Sequence, residues 1–265
     1  MWALLISLAI GPGMVLLHAV YVADHYEKEP VRNLLRYVLA GALVGVVAGV
    51  IEIALSKALL PRVEGTSEIV QWLTLIPSAY IGVALVEEGA KRWAVHLCGN
   101  RDPHISEPFD WLVYSVAVSL GFATLENLLY VWAGGFSTAI GRAITAVPAH
   151  AFNGTLMGSR LALAEVAQKS GDFASAARQR RLAVLEPTLW HGTYDLFVFG
   201  GQLACQHGRT RLGNVCLGAL AALVVIQWIV GLLRVRAQQH VTAKAHLEPP
   251  ILFPTIRPRL WRRKA

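Results

Sequence analysis

Seven apolar stretches of about 20 residues each follow one another along almost the whole sequence. A helix of that length crosses the hydrocarbon core of a bilayer. Inside lipid, every backbone polar group needs a partner within the protein, so such stretches fold as helices. The sequence therefore predicts an all-α polytopic bundle of about seven transmembrane helices. The predicted spans are residues 2–23, 34–56, 70–98, 110–133, 142–167, 182–204 and 213–233.

The composition supports a polytopic membrane protein. Charged residues make up 15% of the chain and hydrophobic residues 55%, whereas soluble domains carry about 25% charged residues. Because the deficit extends over the whole length, it argues against a soluble domain with one anchor. The net charge is +7. We expect the basic residues behind it to face anionic lipid rather than to bind nucleic acid.

The distribution of Lys and Arg predicts the orientation. Placing the N-terminus outside puts 19 of the 24 basic residues on the cytoplasmic side, and 5 outside. Such an asymmetry favours an N-out, C-in arrangement. The basic residues placed outside are Lys57, Arg62, Arg142, Arg209 and Arg211. The third loop of the chain lies on the cytoplasmic side and is assigned Lys91, Arg92 and Arg101.

The chain divides into one membrane domain and a tail. Residues 1–233 form the transmembrane domain, and the motifs described below lie within residues 20–204. Residues 234–265 are basic and contain several prolines. We predict a disordered cytoplasmic tail along the inner leaflet, since this segment has too little apolar surface to order itself.

Three cysteines, Cys98, Cys205 and Cys216, show no CxxC spacing. This spacing argues against a metal–thiolate site. We expect free thiols, with a Cys205–Cys216 disulfide as the alternative.

Titratable side chains interrupt four of the predicted spans. Burying such a group in a bilayer costs several kcal/mol, so each one is a candidate for function. Residues four apart share a helix face, which pairs Glu87 with Lys91 and His191 with Asp195. The titratable set is Glu87, Glu88, Lys91, Glu126, His150, His191 and Asp195, and the polar residues Asn127 and Asn153 lie beside it.

The depth of these groups predicts that they meet. Counted from the centre of its own span, each acidic residue or histidine falls within roughly 8 Å of the midplane, at 1.5 Å per residue. Two imidazoles with one or two carboxylates are typical ligands of zinc that also holds a water. The HExxH motif of soluble metalloproteases is absent.

The motifs, taken in order, resemble the PrsW family of intramembrane proteases. They are EExxK at Glu87–Lys91, FxxxExxxY at Phe122–Tyr130, HxxxG at His150–Gly154 and HGxYD at His191–Asp195. The stretch Asp24–Pro30 is also similar to that family, and the resemblance covers roughly residues 20–200. The CAAX-prenyl endopeptidases and bacteriocin-processing membrane proteases are more distantly similar, since the CAAX group has FxxxH where this chain has FxxxE.

The resemblance implies proteolysis in or beside a bacterial cytoplasmic membrane. The typical reaction is site-1-like cleavage of a single-pass membrane protein such as an anti-sigma factor. The family is usually classed as metal-dependent, which implies Zn²⁺, whereas the CAAX group has been argued to use a glutamate-activated water without metal. Two alternatives to a protease remain: a proton- or ion-coupled transporter or channel, and a two-histidine haem or quinone protein.

For the protease we predict a division of roles among these side chains. Glu87 acts as general base, assisted by Glu88. His150, His191 and Glu126 hold either the metal or the oxyanion. Asp195 orients His191 or completes the metal coordination. Lys91 offsets one carboxylate charge, and Asn127 and Asn153 are candidate oxyanion donors.

Overall fold

The computed structural model describes residues 2–59, 66–100 and 102–247, and these residues form helices with no strand among them. The all-α prediction is therefore confirmed. Arg62, Arg101 and residues 248–265 of the predicted tail lie outside the described residues. The helices are α1 (Trp2–Ala23), α2 (Val31–Leu59), α3 (Glu68–Pro77), a π-helix (Ser78–Ala84), α4 (Leu85–Gly99), α5 (Pro108–Ile144), α6 (Ala146–Lys169), α7 (Phe173–Gln206) and α8 (Thr210–Leu247).

Five helical stretches are long and apolar enough to cross a membrane, so the chain is an integral membrane protein. One of the five stretches contains both α5 and α6. Helix α7 is not among the five, because the polar side chains of α7 lower its hydropathy. The seven crossings and the N-out orientation therefore stay predictions. The five stretches are Trp2–Ala23, Val31–Lys57, Glu68–Gly99, Pro108–Lys169 and Thr210–Leu247.

Contacts at the two ends of the bundle show how the helices alternate. At one end, the last part of α8 meets the end of α1, where Gln239 donates to the carbonyl of Ala23 at 2.6 Å. His246 of α8 also lies 2.5 Å from Glu107, just before α5. At the other end, Arg209 pairs with Glu68 of α3 at 2.5 Å. The ends of α1 and α8 therefore lie beside the start of α5, so α5 runs opposite to both.

Helix α5 is the centre of the bundle and contacts α1, α2, α4, α6 and α8. It begins with Pro108 at its first position, which suits the fixed φ of proline. Glu107 and Asp110 form a reciprocal capping box there, each side chain accepting from the other residue's backbone N–H. Pro108 and the capping box thus stabilise the N-terminus of α5. The residues of α5 as far as Ala123 are almost all buried.

Two glycines let α2 and α5 pack at backbone distance. A Cβ on Gly41 would overlap the backbone of Val118, and a Cβ on Gly121 would overlap the backbone of Val38. Small residues of this kind allow membrane helices to approach closely. The contact holds α2 against the part of α5 that precedes the titratable side chains.

A π-helix precedes the Glu87–Glu88 pair. It starts immediately after Pro77, whose missing N–H interrupts the α-helical ladder. Its Tyr80 ring covers Gly192 of α7, and the Tyr80 hydroxyl lies 2.8 Å from Oγ1 of Thr193. The irregular turn therefore joins the segment before α4 to the part of α7 that carries His191.

Helix α5 bends sharply at Gly135, where φ is 69° and ψ is −151°. Only glycine adopts this conformation without strain. The predicted fourth span ends at residue 133, whereas helical structure continues beyond the bend to Ile144. The bend redirects the last turns of α5 toward the middle of the bundle.

The beginning of the predicted tail is helical. Helix α8 continues without interruption to Leu247, so the prediction of disorder is wrong for residues 234–247. Within this segment Gln238 donates to the carbonyl of Pro108 at 3.1 Å, and Gln239 and His246 make the contacts given above. Polar contacts with the bundle thus replace the apolar surface that the segment lacks. Cys98, Cys205 and Cys216 are free.

Candidate functional site

Three helices bring four of the predicted site residues together. One ligand atom each from Glu87 and Glu88 of α4, His150 of α6 and His191 of α7 lie within 4.8 Å of one another. All four residues are buried. The structure therefore brings together four of the side chains that we predicted to meet.

The ammonium group of Lys91 lies among these side chains. Its Nζ is 3.2 Å from Glu87 Oε2, 2.7 Å from Glu88 Oε1 and 2.9 Å from His150 Nδ1. Lys91 is fully buried and stacks over the ring of Phe122 at 4.3 Å. We predicted that Lys91 offsets one carboxylate charge, and in the structure its ammonium group lies beside both glutamates.

The contacts of His150 fix its tautomer. An ammonium group only donates, so Nδ1 of His150 accepts from Lys91. Nε2 then carries the proton and donates to Glu126 Oε2 at 2.9 Å. A carboxylate on the far nitrogen of an imidazole is the usual partner of a metal-binding histidine. Glu126 therefore orients His150, and it lies outside the group of four ligand atoms.

Glu88 is the main acceptor in the site. Its Oε1 accepts from Lys91 and from Nδ1 of His191 at 2.8 Å, and Asn153 lies 3.4 Å away. Its Oε2 is buried and has no hydrogen-bond partner among the described residues. Glu88 thus positions His191 and retains one unused oxygen.

His191 directs its other nitrogen toward two further carboxylates. Nε2 lies 3.5 Å from Asp195 Oδ2 and 3.8 Å from Glu87 Oε2. Neither distance is that of a direct hydrogen bond to nitrogen. We predicted that Asp195 orients His191; in the structure Glu88 makes that hydrogen bond, because α4 lies closer to the imidazole than the Asp195 side chain one turn away.

Arg142 is a site residue that the sequence prediction missed. Its Nη2 lies 3.1 Å from Glu126 Oε2, and its guanidinium covers the ring of Tyr130 at 4.1 Å. On a straight helix, 16 residues would separate Arg142 from Glu126 by about 24 Å. The bend at Gly135 brings it back, so Arg142, which we counted among the loop residues, contacts a site carboxylate.

Asn127 does not reach the site. Its Nδ2 donates to the carbonyl of Ala9 on α1 at 3.0 Å, and its Oδ1 accepts from Arg142 Nε at 2.9 Å. Both amide groups are therefore engaged, which corrects the predicted role as an oxyanion donor. Asn127 instead joins α1 to α5 and positions Arg142.

A cavity of about 680 Å³ opens beside these side chains. Glu87 borders the cavity, whereas Glu88 is not part of its wall. Glu52 of α2 also borders it, and the sequence prediction missed this residue. The signal was available, because Glu52 interrupts an apolar span just as Glu126 does. The polar residues of the wall are Glu52, Glu87, Glu126, Tyr130, Thr138, Arg142, Thr145, His150, Asn153, His191, Tyr194, Asp195 and Gln202.

This arrangement is suited to acid–base chemistry on a bound water. Glu87 is a carboxylate in contact with the cavity, and Arg142, paired with Glu126, supplies a positive charge at the cavity wall. Glu88, His150 and His191 have the donor types that zinc prefers. The site therefore combines a base, a cation and a set of metal-ligand atoms at one cavity.

Comparison with known proteins identifies close similarity to one family. The family model described as "PrsW family intramembrane metalloprotease" matches residues 29–230. A protein named protease PrsW from Geobacillus kaustophilus is 36% identical over 193 residues, which make up 72% of this chain and 78% of that protein. Protease PrsW from Bacillus subtilis is 32% identical over 224 residues, or 84% of this chain and 91% of that protein. No solved structure matches.

Proposed function

Because the chain belongs to the PrsW family of intramembrane metalloproteases, we propose that Glu87 activates a water that cleaves a peptide bond of a single-pass membrane protein. The chain is an intramembrane peptidase, and the proposal concerns its substrate and its chemistry. The observation that carries it is the group formed by Glu87, Glu88, His150 and His191 beside the 680 Å³ cavity.

Access to the cavity distinguishes the two adjacent glutamates. Glu87 borders the cavity, so a water there is within reach of its carboxylate. Glu88 is fully buried and already accepts from Lys91 and His191. Glu87 therefore takes the proton of the attacking water, and Glu88 holds the neighbouring side chains in place.

Two side chains are placed to stabilise the negative charge that develops on the peptide carbonyl oxygen. Arg142 borders the cavity and is held by Glu126 and Asn127. Asn153 also borders it, and its side chain lies against Glu88. Preoriented donors of this kind stabilise an oxyanion. Arg142 takes the place that we had assigned to Asn127.

The residues present fit a zinc ion. His150 offers Nδ1 while Nε2 is held by Glu126, and His191 offers Nε2 while Nδ1 is held by Glu88. This is the usual arrangement of zinc-binding histidines, each with an outer carboxylate. The unpartnered Oε2 of Glu88 supplies a third donor. When bound, zinc lowers the pKa of a coordinated water and polarises a carbonyl group.

Lys91 competes with such an ion for the same donors. Its ammonium group contacts Glu87, Glu88 and His150.

Metal analysis distinguishes a mechanism with bound zinc from one in which a glutamate activates water without metal. The purified wild type is compared with a His150→Ala, His191→Ala double variant. Zinc present in the wild type and lost with the histidines supports the metal-dependent form; zinc in neither protein supports the glutamate form.

We further propose that the substrate is a single-pass protein of the bacterial cytoplasmic membrane, such as an anti-sigma factor. Three features support this proposal: the membrane-spanning helices, the position of the cavity among them, and family membership. The basic tail is proposed to face anionic lipid on the inner leaflet.

Liposome reconstitution tests the proposed reaction. The purified chain and a single-pass candidate substrate are incorporated together, and fragments are identified by mass spectrometry. We expect one new pair of termini per substrate, absent when Glu87→Gln replaces the wild type. Ion flux without cleavage of any candidate would favour the transporter alternative and contradict the proposal.

A further inference from the structure

A second cluster of buried carboxylates lies away from the cavity, where α1 ends and α5 begins. It consists of Asp24 and Glu29, between α1 and α2, and Glu107 and Asp110 at the start of α5, and is called the acidic cluster below. One oxygen each from Asp24, Glu29 and Asp110 lie within 4.8 Å of one another. The relative exposure of each of the four residues is 4% or less.

The charges of the acidic cluster are poorly compensated by side chains. His246 contacts Glu107 at 2.5 Å, and the Tyr114 hydroxyl donates to Glu29. Lys28 is nearby, but its ammonium group donates to the backbone carbonyls of Tyr21, Val22 and Asp24 and to no carboxylate. Among the described residues, no Lys or Arg forms an ion pair with these carboxylates.

Three buried carboxylate oxygens in the cluster are unpartnered. Oδ2 of Asp24, Oε1 of Glu107 and Oδ1 of Asp110 have no hydrogen-bond partner within the described ranges. By contrast, the second oxygen of Asp110 accepts two backbone N–H groups, from Ser106 and Glu107, each at 2.7 Å. The cap of α5 therefore uses one side of Asp110 and leaves the other side directed into the cluster.

Uncompensated buried carboxylates need a proton or a cation. Oxygens of Asp24, Glu29 and Asp110 lie within 4.8 Å of one another, so the three charges repel when all three groups are ionised. Closely spaced carboxylates of this kind share protons when no metal is present, and they bind a cation that outcompetes those protons.

We propose that Asp24, Glu29 and Asp110 bind one hard divalent cation, calcium or magnesium. The donors are all oxygens, which suits these ions rather than zinc. Two oxygens that each lie about 2.4 Å from one calcium ion are at most about 4.8 Å apart, and the observed group meets this limit. Magnesium, with bonds of about 2.1 Å, requires a tighter group of at most about 4.2 Å.

Such an ion would fasten the end of α1 to the start of α5. Asp24 directly follows α1, and Asp110 belongs to the first turn of α5. Farther along, Asn127 joins the same two helices through the carbonyl of Ala9. The cation therefore stabilises the start of α5, the helix that also carries Glu126 and Asn127. It does so without contact to the cavity. This inference does not rest on the proposed proteolysis.

Thermal unfolding of the full chain in detergent tests the site. Tryptophan fluorescence of the chelator-treated protein is followed with calcium, magnesium, zinc or potassium added, and bound metal is counted by elemental analysis. We expect one calcium or magnesium ion per chain and a rise in the unfolding temperature that saturates. The ion that saturates at the lower concentration identifies the preference. No saturable binding of either divalent ion would overturn the proposal.

Matched variants locate the binding. Asp110→Asn keeps the backbone acceptor of the cap, and it should weaken the ion's affinity by about 10–100-fold or more, as loss of supporting groups at metal sites does. Asp102→Asn changes a buried acid in the loop before α5, where Asn33 and Tyr37 donate to it, and it should keep the ion response. An unchanged response in Asp110→Asn would overturn the proposal. If Asp110→Asn does not fold, Asp24→Asn replaces it with the same expectation.

A third variant separates this site from the catalytic one. The His150→Ala, His191→Ala double variant removes two donors of the other group and should keep the calcium or magnesium response of the wild type. Loss of that response together with the histidines would place the ion at the cavity and overturn the inference.

Discussion

The ammonium group of Lys91 lies 2.9 Å from Nδ1 of His150, a residue 59 positions later in the sequence. The same group also contacts both adjacent glutamates, at 3.2 Å and 2.7 Å. Lys91 thus links α4 to α6 and offsets the charge of the pair that we propose to activate water.

Lys91→Met should destabilise the bundle. Removing one partner of a buried ion pair leaves uncompensated charge and costs about 3–5 kcal/mol. The measurement is the free energy of unfolding in detergent, with Arg92→Met as the control, since Arg92 forms no ion pair in the described part of the chain. A Lys91→Met protein as stable as Arg92→Met would contradict the role assigned to Lys91.

Gly135→Ala should slow cleavage without contacting the cavity. A side chain at φ 69° is strained, so the bend should open and Arg142 should move from Glu126. Misplacing such a group typically costs about 100-fold in rate. Gly208→Ala is the control, because Gly208 has nearly the same φ, 68°, but lies between α7 and α8 and outside the cavity wall. Equal rates for the two variants would show that the bend does not position Arg142.

Gly41→Ala should destabilise the chain, whereas Gly49→Ala should not. A Cβ on Gly41 would overlap the backbone of Val118, but a Cβ on Gly49 meets nothing within 4 Å. Overpacking of this kind costs about 1–3 kcal/mol. Thermal unfolding of the two variants checks the difference, and equal unfolding temperatures would mean that α2 and α5 are less closely packed.

Asp102 should stabilise the chain at neutral pH and lose that effect in acid. Burial opposes its ionisation, but hydrogen bonds from His104, Asn33 and Tyr37 outweigh burial and lower its pKa to about 2. The folded chain therefore favours the charged form. Its contribution is complete above the unfolded pKa of 3.8 and disappears as the pH falls toward 2.

The measurement is the difference in unfolding free energy between wild type and Asp102→Asn. This difference should be largest near neutral pH and shrink between about pH 4 and pH 2, while pH effects from other groups cancel between the two proteins. A difference that stays constant across this interval would show that the pKa of Asp102 is not lowered by folding.

The sequence was sufficient to predict the class of fold and the grouping of four candidate side chains. Hydropathy located the helices, and the cost of burying charge singled out Glu87, Glu88, His150 and His191, which the structure brings within 4.8 Å. Hydropathy and the cost of buried charge both depend on whether lipid or water surrounds a residue. They can therefore be read from the sequence without knowledge of the tertiary contacts.

The parts that failed depend on tertiary detail. The position of Arg142 follows from one glycine with a positive φ, which no periodicity reveals. Asn127 and Glu126 are adjacent in sequence, but a helix directs them to different neighbours: the carbonyl of Ala9 and the imidazole of His150. The helical state of residues 234–247 depends on contacts with distant segments, such as that of Gln238 with Pro108.

The cleavage rate of Glu87→Gln under single-turnover conditions tests the central claim most directly. The change removes the base at nearly constant shape, and loss of a general base typically costs about 100–10,000-fold. Glu165→Gln, the same change on α6 outside the cavity wall, should cleave at the wild-type rate. We predict a loss of at least about 100-fold for Glu87→Gln. A folded Glu87→Gln protein that cleaves as fast as the wild type would contradict the account.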